Sequence, residues 1–406
     1  MITRAGWATL AGAAALAAAG RVLGLVELHV LAGSGALAVA AAAVRTAVVD
    51  PGITIRRMVR PPRVHVGTPA RVELEVTADG PRATPVLTLD DPIGDRVGAR
   101  LRLAPLPAGT ATRAAYRLPT RRRGEVSVGP LAVEVTDPLG LARRTRLAAD
   151  RVRLVVLPHI DPVPPLPRPA GSEPLSGHEG RPGAGRSGDE FHALRAYVVG
   201  DDLRRVHWPM SARTDDLVVR VDDEPHQGRL TVVLDVHRDR SGAECFERMV
   251  SAAASIAAAH WQAGDMVRLL TTDGRDTGWV AGQASFDGLL EALAVTAHGP
   301  ASDLADVLAH LGDGSDSVAA VVGDVPGASV PALPGRARGR GRGRPGALTV
   351  VRFPAGAAAG GAPPAGGRRT AGVSVIDVPP DRSFASAWGE AVAGGRRRWP
   401  AGTGTR

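Results

Sequence analysis

Two apolar runs near the N-terminal end, residues 5–20 and 28–44, limit what this chain can fold into more than any other feature. Each is close to the lower limit of about 17 residues for a helix that crosses a bilayer. Arg4 precedes the first run, and several arginines follow the second. Because positive charge is retained on the cytoplasmic side of a membrane, the pattern predicts a transmembrane helical hairpin over residues 1–50, in the cell membrane with the soluble domains cytoplasmic.

A secretory signal peptide is the alternative interpretation of the first run. Arg4, an apolar stretch and the small residues near Ala17 have the order of such a peptide. The second run would then be a lone anchor, and the remainder of the chain would lie outside the cell. The arginine excess after Val44 opposes translocation and favours the hairpin.

Residues 51–160 alternate apolar and polar side chains in six or so short runs separated by Pro/Gly turns. Period-2 alternation is typical of strands with one buried face. The pattern predicts an all-β, immunoglobulin-like sandwich. Residues 161–190 are rich in Pro, Gly and Ser, which predicts a flexible or extended linker.

Residues 191–226 contain a dense cluster of Arg, Asp, His, Trp and Tyr side chains. One interpretation is an internal ion-pair network that uses Trp208 as a packing anchor. The other is a binding surface for an acidic or phosphorylated partner. The candidate binding residues are Arg195, Tyr197, Gly200, Asp201, Asp202, Arg204, Arg205, His207, Trp208, Ser211, Arg213 and Arg220.

Local structure in this segment follows from helix caps and breakers. Asp201 or Asp202 is expected to cap a short helix containing Arg204 and Arg205. Pro209 is expected to end that helix at or near Trp208. The alternation over residues 217–221 predicts a strand.

A serine hydrolase is a further alternative, since His207 and Ser211 lie four residues apart with aspartates nearby. No nucleophile elbow surrounds Ser211, and a catalytic triad is defined by geometry rather than spacing. We therefore expect no catalytic residues and no enzymatic activity.

Residues 227–395 alternate apolar strands with amphipathic helical patterns, beginning with the buried strand pattern of residues 229–235. This order predicts a doubly wound α/β domain with ligand sites at the carboxyl ends of its strands. A Gly/Arg/Pro insertion over residues 333–371 is expected to be disordered, and residues 396–406 form a tail.

Composition narrows the classes of partner. The single cysteine excludes an intrachain disulfide. A net charge of +8 suits an anionic membrane or a nucleic acid, but much of the excess lies in low-complexity segments. No aromatic residue interleaves with the Gly–Arg run, so no stacking platform for bases is present and no nucleic-acid partner is expected.

The stretch GDDLRRVHWPMSAR, residues 200–213, resembles the signature of the bacterial family called domain of unknown function 58. RRG at residues 122–124 and DP-x-GL at residues 137–141 also resemble that family. The resemblance implies two N-terminal membrane helices and a von Willebrand factor A-like domain. It further implies work with MoxR-type AAA+ ATPases, as an adaptor or assembly factor for envelope proteins. Val199 stands where the family often has Pro, and Pro209 stands where a Lys is common. If that Lys contacts the partner in other members, this chain is expected to bind differently or more weakly. A structural envelope scaffold is the alternative to an adaptor.

The same resemblance implies a metal-ion-dependent adhesion site on the α/β domain. The candidate ligands are Asp235, Asp239, Ser302 and Asp324. Asp235 and Asp324 fill the first and last places of the family motif, and Ser302 stands where Thr is expected. His237 and Asp239 replace the two hydroxyl residues of that motif. Oxygen ligands could still hold Mg²⁺. Because His is a poor Mg²⁺ ligand, a degenerate, metal-free site is expected, with no cofactor.

Overall fold

In the computed structural model, the chain forms two compact units, Met1–Pro158 and His159–Arg406. The described residues are 1–48, 50–94, 96–167, 191–197, 206–214, 216–222, 228–309, 311, 317–324, 347–355, 368–370 and 373–397.

The first unit begins with two helices, α1 (Arg4–Leu23) and α2 (Val26–Val48). Thr3 caps α1 by accepting a hydrogen bond from the Gly6 N–H, and Gly24, at φ 68°, makes the turn between the helices. Both helices are long and apolar enough to cross a membrane. At 1.5 Å per residue, the 20 residues of α1 span about 30 Å, the thickness of the hydrocarbon core.

Ten strands follow the helices and form two sheets. The first has the order β1-β3-β6, and the second has the order β2-β10-β7-β4-β8-β9, with β5 paired to β4. Their bounds are β1 Ile53–Arg60, β2 Arg63–His65, β3 Ala70–Ala78, β4 Leu87–Ile93, β5 Arg96–Leu103, β6 Ala111–Leu118, β7 Gly124–Val128, β8 Leu131–Thr136, β9 Arg143–Ala149 and β10 Val152–Leu157.

The two sheets share one apolar core, to which Leu74 of β3, Leu89 of β4 and Val133 of β8 contribute fully buried side chains. Alternation along β3 explains this burial, since every second residue from Ala70 to Ala78 faces the core. The two apolar helices and the following β region predicted from the sequence are confirmed.

The second unit contains a six-stranded sheet with the order β14-β13-β15-β16-β18-β17. All pairs are parallel except the edge pair of β17 and β18. The strands are β13 Arg229–Leu234, β14 Met266–Thr271, β15 Ser317–Val322, β16 Ala347–Arg352, β17 Arg368–Thr370 and β18 Val373–Asp377. The helices are α4 Ala243–Gln262, α5 Gln283–Val295, α6 Leu304–Ala309 and α7 Phe384–Arg397. The later α/β region predicted from the sequence is therefore present. The disorder predicted for the whole of residues 333–371 was wrong for β16 and β17, because the apolar side chains of β16 allow it to pair as a buried strand between β15 and β18.

The order of these strands sets the position of a candidate ligand site. Strand β14 lies on one side of β13, and β15 and the later strands lie on the other side. The strand order therefore reverses at β13. Ligands of open α/β sheets bind beyond the carboxyl ends of the strands at such a reversal. Asp235 follows β13 directly at this position.

The start of the predicted linker is fastened to the second unit. The Asp161 N–H donates to Ser255 Oγ of α4 at 2.9 Å, and the Leu166 N–H donates to His260 Nε2 at 2.9 Å. The carbonyl of Pro164 accepts from Trp388 Nε1 of α7 at 2.8 Å. Residues 161–167 are therefore extended but fixed, because helix side chains satisfy their backbone groups. The remainder of the predicted linker lies outside the described residues.

Candidate functional site

The signature segment is built on a two-stranded antiparallel sheet of β11 (Phe191–Ala196) and β12 (Val218–Asp222). Arg195 pairs in register with Val219, and Leu194 pairs with Arg220. The Tyr197 N–H continues the pairing by donating to the carbonyl of Leu217 at 2.7 Å. The strand predicted over residues 217–221 is thus present, shifted by one residue.

A short helix, α3 (Trp208–Thr214), lies between these strands in sequence. The prediction that Pro209 ends a helix near Trp208 was wrong, because α3 begins there and Pro209 lies in its first turn. Proline is tolerated at this position since the N–H groups of the first turn have no intrahelical acceptor. Gly200, Asp201, Asp202, Arg204 and Arg205, with the helix predicted for them, lie outside the described residues.

Ser211 fixes α3 to β12. Its hydroxyl accepts a hydrogen bond from the Val218 N–H at 2.9 Å and donates to the carbonyl of His207 at 3.1 Å. The His207 N–H in turn donates to the carbonyl of Val218 at 2.8 Å. Ser211 and Val206 are both buried. The segment therefore has a defined backbone, held by a buried hydroxyl.

These contacts do not form a nucleophile–base pair. The hydroxyl of Ser211 bonds to main-chain groups, while His207 Nδ1 accepts from the Met210 N–H at 3.2 Å. A hydrolytic serine needs a hydrogen bond to its general base. The geometry therefore gives the hydrolase alternative no support.

Four large side chains in or just after α3 face solvent, and we call this surface the α3 segment: Trp208, Met210, Arg213 and Leu217. Trp208 is 63% exposed, so the interpretation of this tryptophan as a packing anchor was wrong. Met210 and Leu217 are also exposed apolar side chains. Val206 and Ser211 take the buried positions instead, which leaves the larger groups available for contact.

A second polar site lies at the carboxyl end of β13, where Asp235 is fully buried. Asp235 Oδ2 is 3.1 Å from Arg240 Nη1, and Arg240 Nη2 is 3.1 Å from Asp303 Oδ1. Asp235 Oδ1 accepts from the His237 N–H at 3.0 Å. One guanidinium therefore neutralises a buried and an exposed carboxylate together.

Thr272 is the hydroxyl residue of this site, in place of the Ser302 expected from the sequence. Its Oγ1 lies 3.3 Å from Asp235 Oδ1 and accepts from the Val236 N–H at 2.9 Å. Ser302 is exposed, and its N–H donates to the carbonyl of Thr272 at 2.8 Å. Thr272 follows β14, the neighbour of β13, so knowing the strand order would have identified it.

The other expected metal ligands do not join Asp235. The Asp239 side chain is 86% exposed, and Asp324 is exposed, with its N–H donating to the carbonyl of Arg240 at 2.6 Å. Among the residues that the structure describes, no three His, Cys, Asp or Glu side chains come together as a metal site. Because a guanidinium already neutralises Asp235, this donor set does not fit Mg²⁺, which requires several oxygen ligands.

Comparison with known proteins identifies the signature segment. Residues 193–325 match the family described as protein of unknown function DUF58. This match confirms the resemblance drawn from the signature motif. No curated protein sequence matches the chain.

Several solved structures match parts of the chain. The CARDB domain of the PF1109 protein from Pyrococcus furiosus covers 26% of this chain and 93% of its own, at 14% identity and a TM-score of 0.22. The alkylpurine DNA glycosylase AlkC from Pseudomonas fluorescens covers 28% of this chain and 32% of its own, at 16% identity and a TM-score of 0.19. A β-glucosidase from Listeria innocua covers 25% of this chain and 16% of its own, at 14% identity and a TM-score of 0.17. Similarities at these scores do not define the fold or the function.

Proposed function

We propose that this chain, whose residues 193–325 belong to the DUF58 family, is a membrane-tethered, non-catalytic adaptor that binds protein partners through its α3 segment. The partner implied by the family resemblance is a MoxR-type AAA+ ATPase, acting with the chain on envelope proteins. Two helices long and apolar enough to cross a membrane support the tether. Arginines at both outer ends of the hairpin favour soluble units in the cytoplasm.

The exposed Trp208 is the observation that carries the binding proposal. Trp208 has 63% of its surface in water, and the buried Ser211 holds the backbone that carries it before a partner arrives. Binding hot spots are enriched in Trp and Arg, and Arg213 is exposed on the same helix. Such a surface fits an apolar pocket bordered by acidic side chains.

The second unit is proposed to be a von Willebrand factor A-like domain with a degenerate metal site. A mainly parallel sheet with a polar site at the reversal of strand order supports this assignment. The Arg240 contacts to Asp235 and Asp303 account for the degeneracy, since they supply the positive charge that a cation would bring.

A structural envelope scaffold is the second candidate. Burial of Val206 and Ser211 favours it, because a signature that serves internal packing would bury such residues. The scaffold predicts that changes at the α3 surface leave the set of bound proteins unchanged.

Affinity purification from crosslinked membranes separates the two candidates. The test variant is Trp208→Ala/Arg213→Glu, and the matched control is Val295→Ala/Arg275→Glu, which alters an exposed apolar residue and an exposed arginine elsewhere in the same unit. Both variants must first show the melting transition of wild type.

The adaptor predicts that a MoxR-type ATPase is recovered with wild type and control but lost from the test variant. Equal recovery of the ATPase with wild type, control and test variant would contradict the proposal that α3 binds the partner. Absence of the ATPase from every sample would contradict the adaptor and leave the scaffold.

A further inference from the structure

The base of the helical hairpin is joined to one edge of the sandwich. Arg144 Nη1 of β9 donates to the carbonyl of Ala47 in α2 at 2.7 Å. Arg146 Nη1, also in β9, is 3.0 Å from Asp50 Oδ1 just after α2. Strand β9 is the edge strand of its sheet, so the end of α2 lies against a sheet edge.

The start of α1 contacts the same edge through the turn before β9. Asp137 shapes this turn by accepting hydrogen bonds from the N–H groups of Leu139 at 2.9 Å and Ala142 at 2.6 Å. Thr3 Oγ1 donates to the carbonyl of Gly140 at 2.6 Å. Both outer ends of the hairpin are thus attached to the turn and to β9, and Leu139, at the tip, is 69% exposed.

This attachment sets the depth of the sandwich edge relative to a bilayer. Helices of 20 and 23 residues are about 30 and 35 Å long, close to the thickness of the hydrocarbon core. When α1 and α2 cross the membrane, their outer ends lie in the headgroup layer. Because hydrogen bonds hold it to those ends, the edge lies at the same level.

The side chains at the depth of the headgroup layer have the charge to bind an anionic lipid. Arg4, Arg45 and Arg144 are exposed around the hairpin ends. A cleft of about 70 Å³ opens here, lined by Asp50, Pro51, Val133, Val135, Arg144 and Arg146. Positive side chains beside a membrane attract anionic headgroups, and an exposed leucine adds apolar area that can enter the interface.

We propose that the hairpin base, defined as Arg4, Arg45, Leu139, Arg144 and Arg146, is a binding site for the phosphate headgroups of anionic phospholipids. Arg144 and Arg146 bind the phosphate from β9, and Leu139 enters the interface beside it. The inference rests on membrane insertion of the hairpin, and it adds lipid selectivity to the tether.

Native mass spectrometry of the full chain tests this site. The protein is reconstituted in nanodiscs containing phosphatidylcholine and phosphatidylglycerol, and the lipids that it retains are counted. Wild type is expected to retain phosphatidylglycerol preferentially. Arg144→Gln/Arg146→Gln is expected to lower that preference on the order of tenfold. The control, Arg71→Gln/Arg113→Gln, removes two exposed arginines from the other sheet and is expected to leave it unchanged.

A second measurement covers the case in which the arginine variant fails to fold. In a Cys245→Ser background, an environment-sensitive fluorophore on Leu139→Cys is expected to report an apolar surrounding in nanodiscs. The control is Val97→Cys, which is 98% exposed. Strand pairing places Val97 at the opposite end of β4 and β8 from the turn.

Equal retention of the two lipids by wild type, or a fluorophore at position 139 as water-exposed as that at position 97, would overturn the headgroup site. Failure of the chain to enter nanodiscs at all would instead overturn the membrane tether on which it depends.

Discussion

At the scale of single residues, the sandwich contains a buried polar cluster that joins its two sheets. Arg57 Nη1 of β1 is 2.6 Å from Asp91 Oδ1 of β4, and Tyr116 of β6 donates its hydroxyl to Asp91 Oδ2 at 2.6 Å. The Arg57 and Asp91 side chains are each 1% exposed. A buried charge requires such a partner, since an unpaired one costs several kcal/mol. The cluster therefore specifies how the sheets face each other.

Tyr116 gives a spectroscopic prediction. Burial, then its hydrogen bond to Asp91, raises the pKa of Tyr116 above the ordinary tyrosine value of about 10. Because the folded pKa exceeds the unfolded one, the stability from this group is present below about pH 10 and is lost as the pH rises further. In a Tyr197→Phe background, ultraviolet titration is expected to show no phenolate near pH 10 until the protein unfolds. A reversible phenolate signal near pH 10 in the folded protein would contradict the cluster.

Arg240 gives a prediction about the Asp235 site. Arg240→Met leaves a fully buried carboxylate without its ion pair and is expected to destabilise the second unit by about 3 kcal/mol. The control, Arg238→Met, changes an exposed neighbour and is expected to stay within about 0.5 kcal/mol. Denaturant unfolding followed by tryptophan fluorescence measures both. A rise in the melting temperature of wild type on adding Mg²⁺ would contradict the assignment of Arg240 as the positive charge of this site.

Residue-level chemistry was only partly predictable from sequence. Asp235 was identified because it fills the first position of the motif implied by the family resemblance. Arg240 and Thr272 were missed because their contacts to Asp235 depend on a loop conformation and on the neighbouring strand. The side-chain roles of Trp208 and Ser211 were likewise undetermined, since spacing alone does not give burial.

At the scale of elements, close backbone contact joins α1 to the turn at residues 137–141. A Cβ on Gly6 would lie 2.3 Å from the carbonyl oxygen of Leu141, which is backbone and cannot rotate away. Val39, Ala42, Leu141 and Ala142 form a small apolar cluster at the same place. Glycine at position 6 is therefore what allows the helix and the turn to pack.

Gly6→Ala is expected to destabilise the first unit by about 2 kcal/mol, the usual cost of overpacking. Gly12→Ala is the control, because a Cβ there meets no atom within 4 Å. It is expected to be neutral or slightly stabilising, as alanine favours helix. Melting of the sandwich in detergent, followed by circular dichroism, distinguishes them. An equal effect of the two changes would refute the packing argument.

Elements with strong periodicity were predicted correctly, and those that depend on contacts were not. The apolar helices, the alternating strands and the later α/β pattern follow from local side-chain order. The start of α3 was misplaced because a proline can end one helix or lie in the first turn of the next. Residues 161–167 are extended, as one form of the predicted linker. Their attachment to helices was not predicted, because their hydrogen-bond partners lie about 90 and 220 residues away in sequence.

At the scale of the whole molecule, each unit carries one part of the proposed activity. The first supplies two membrane-length helices and a sandwich attached to their ends. The second contains the α3 segment and an α/β sheet whose buried Asp235 pairs with Arg240. Tethering raises the effective concentration of a soluble partner at the membrane, which is the physical advantage of an adaptor built in this way.

Photocrosslinking at the α3 surface tests the adaptor most directly. A photoreactive amino acid replaces Trp208 in the full chain, and the same amino acid replaces Val295, another exposed apolar residue of the second unit, as the control. If α3 binds the partner, illumination of intact membranes is expected to join a MoxR-type AAA+ ATPase to position 208 and not to position 295. Crosslinking of that ATPase at neither position, or equally at both, would contradict the claim that α3 binds the partner.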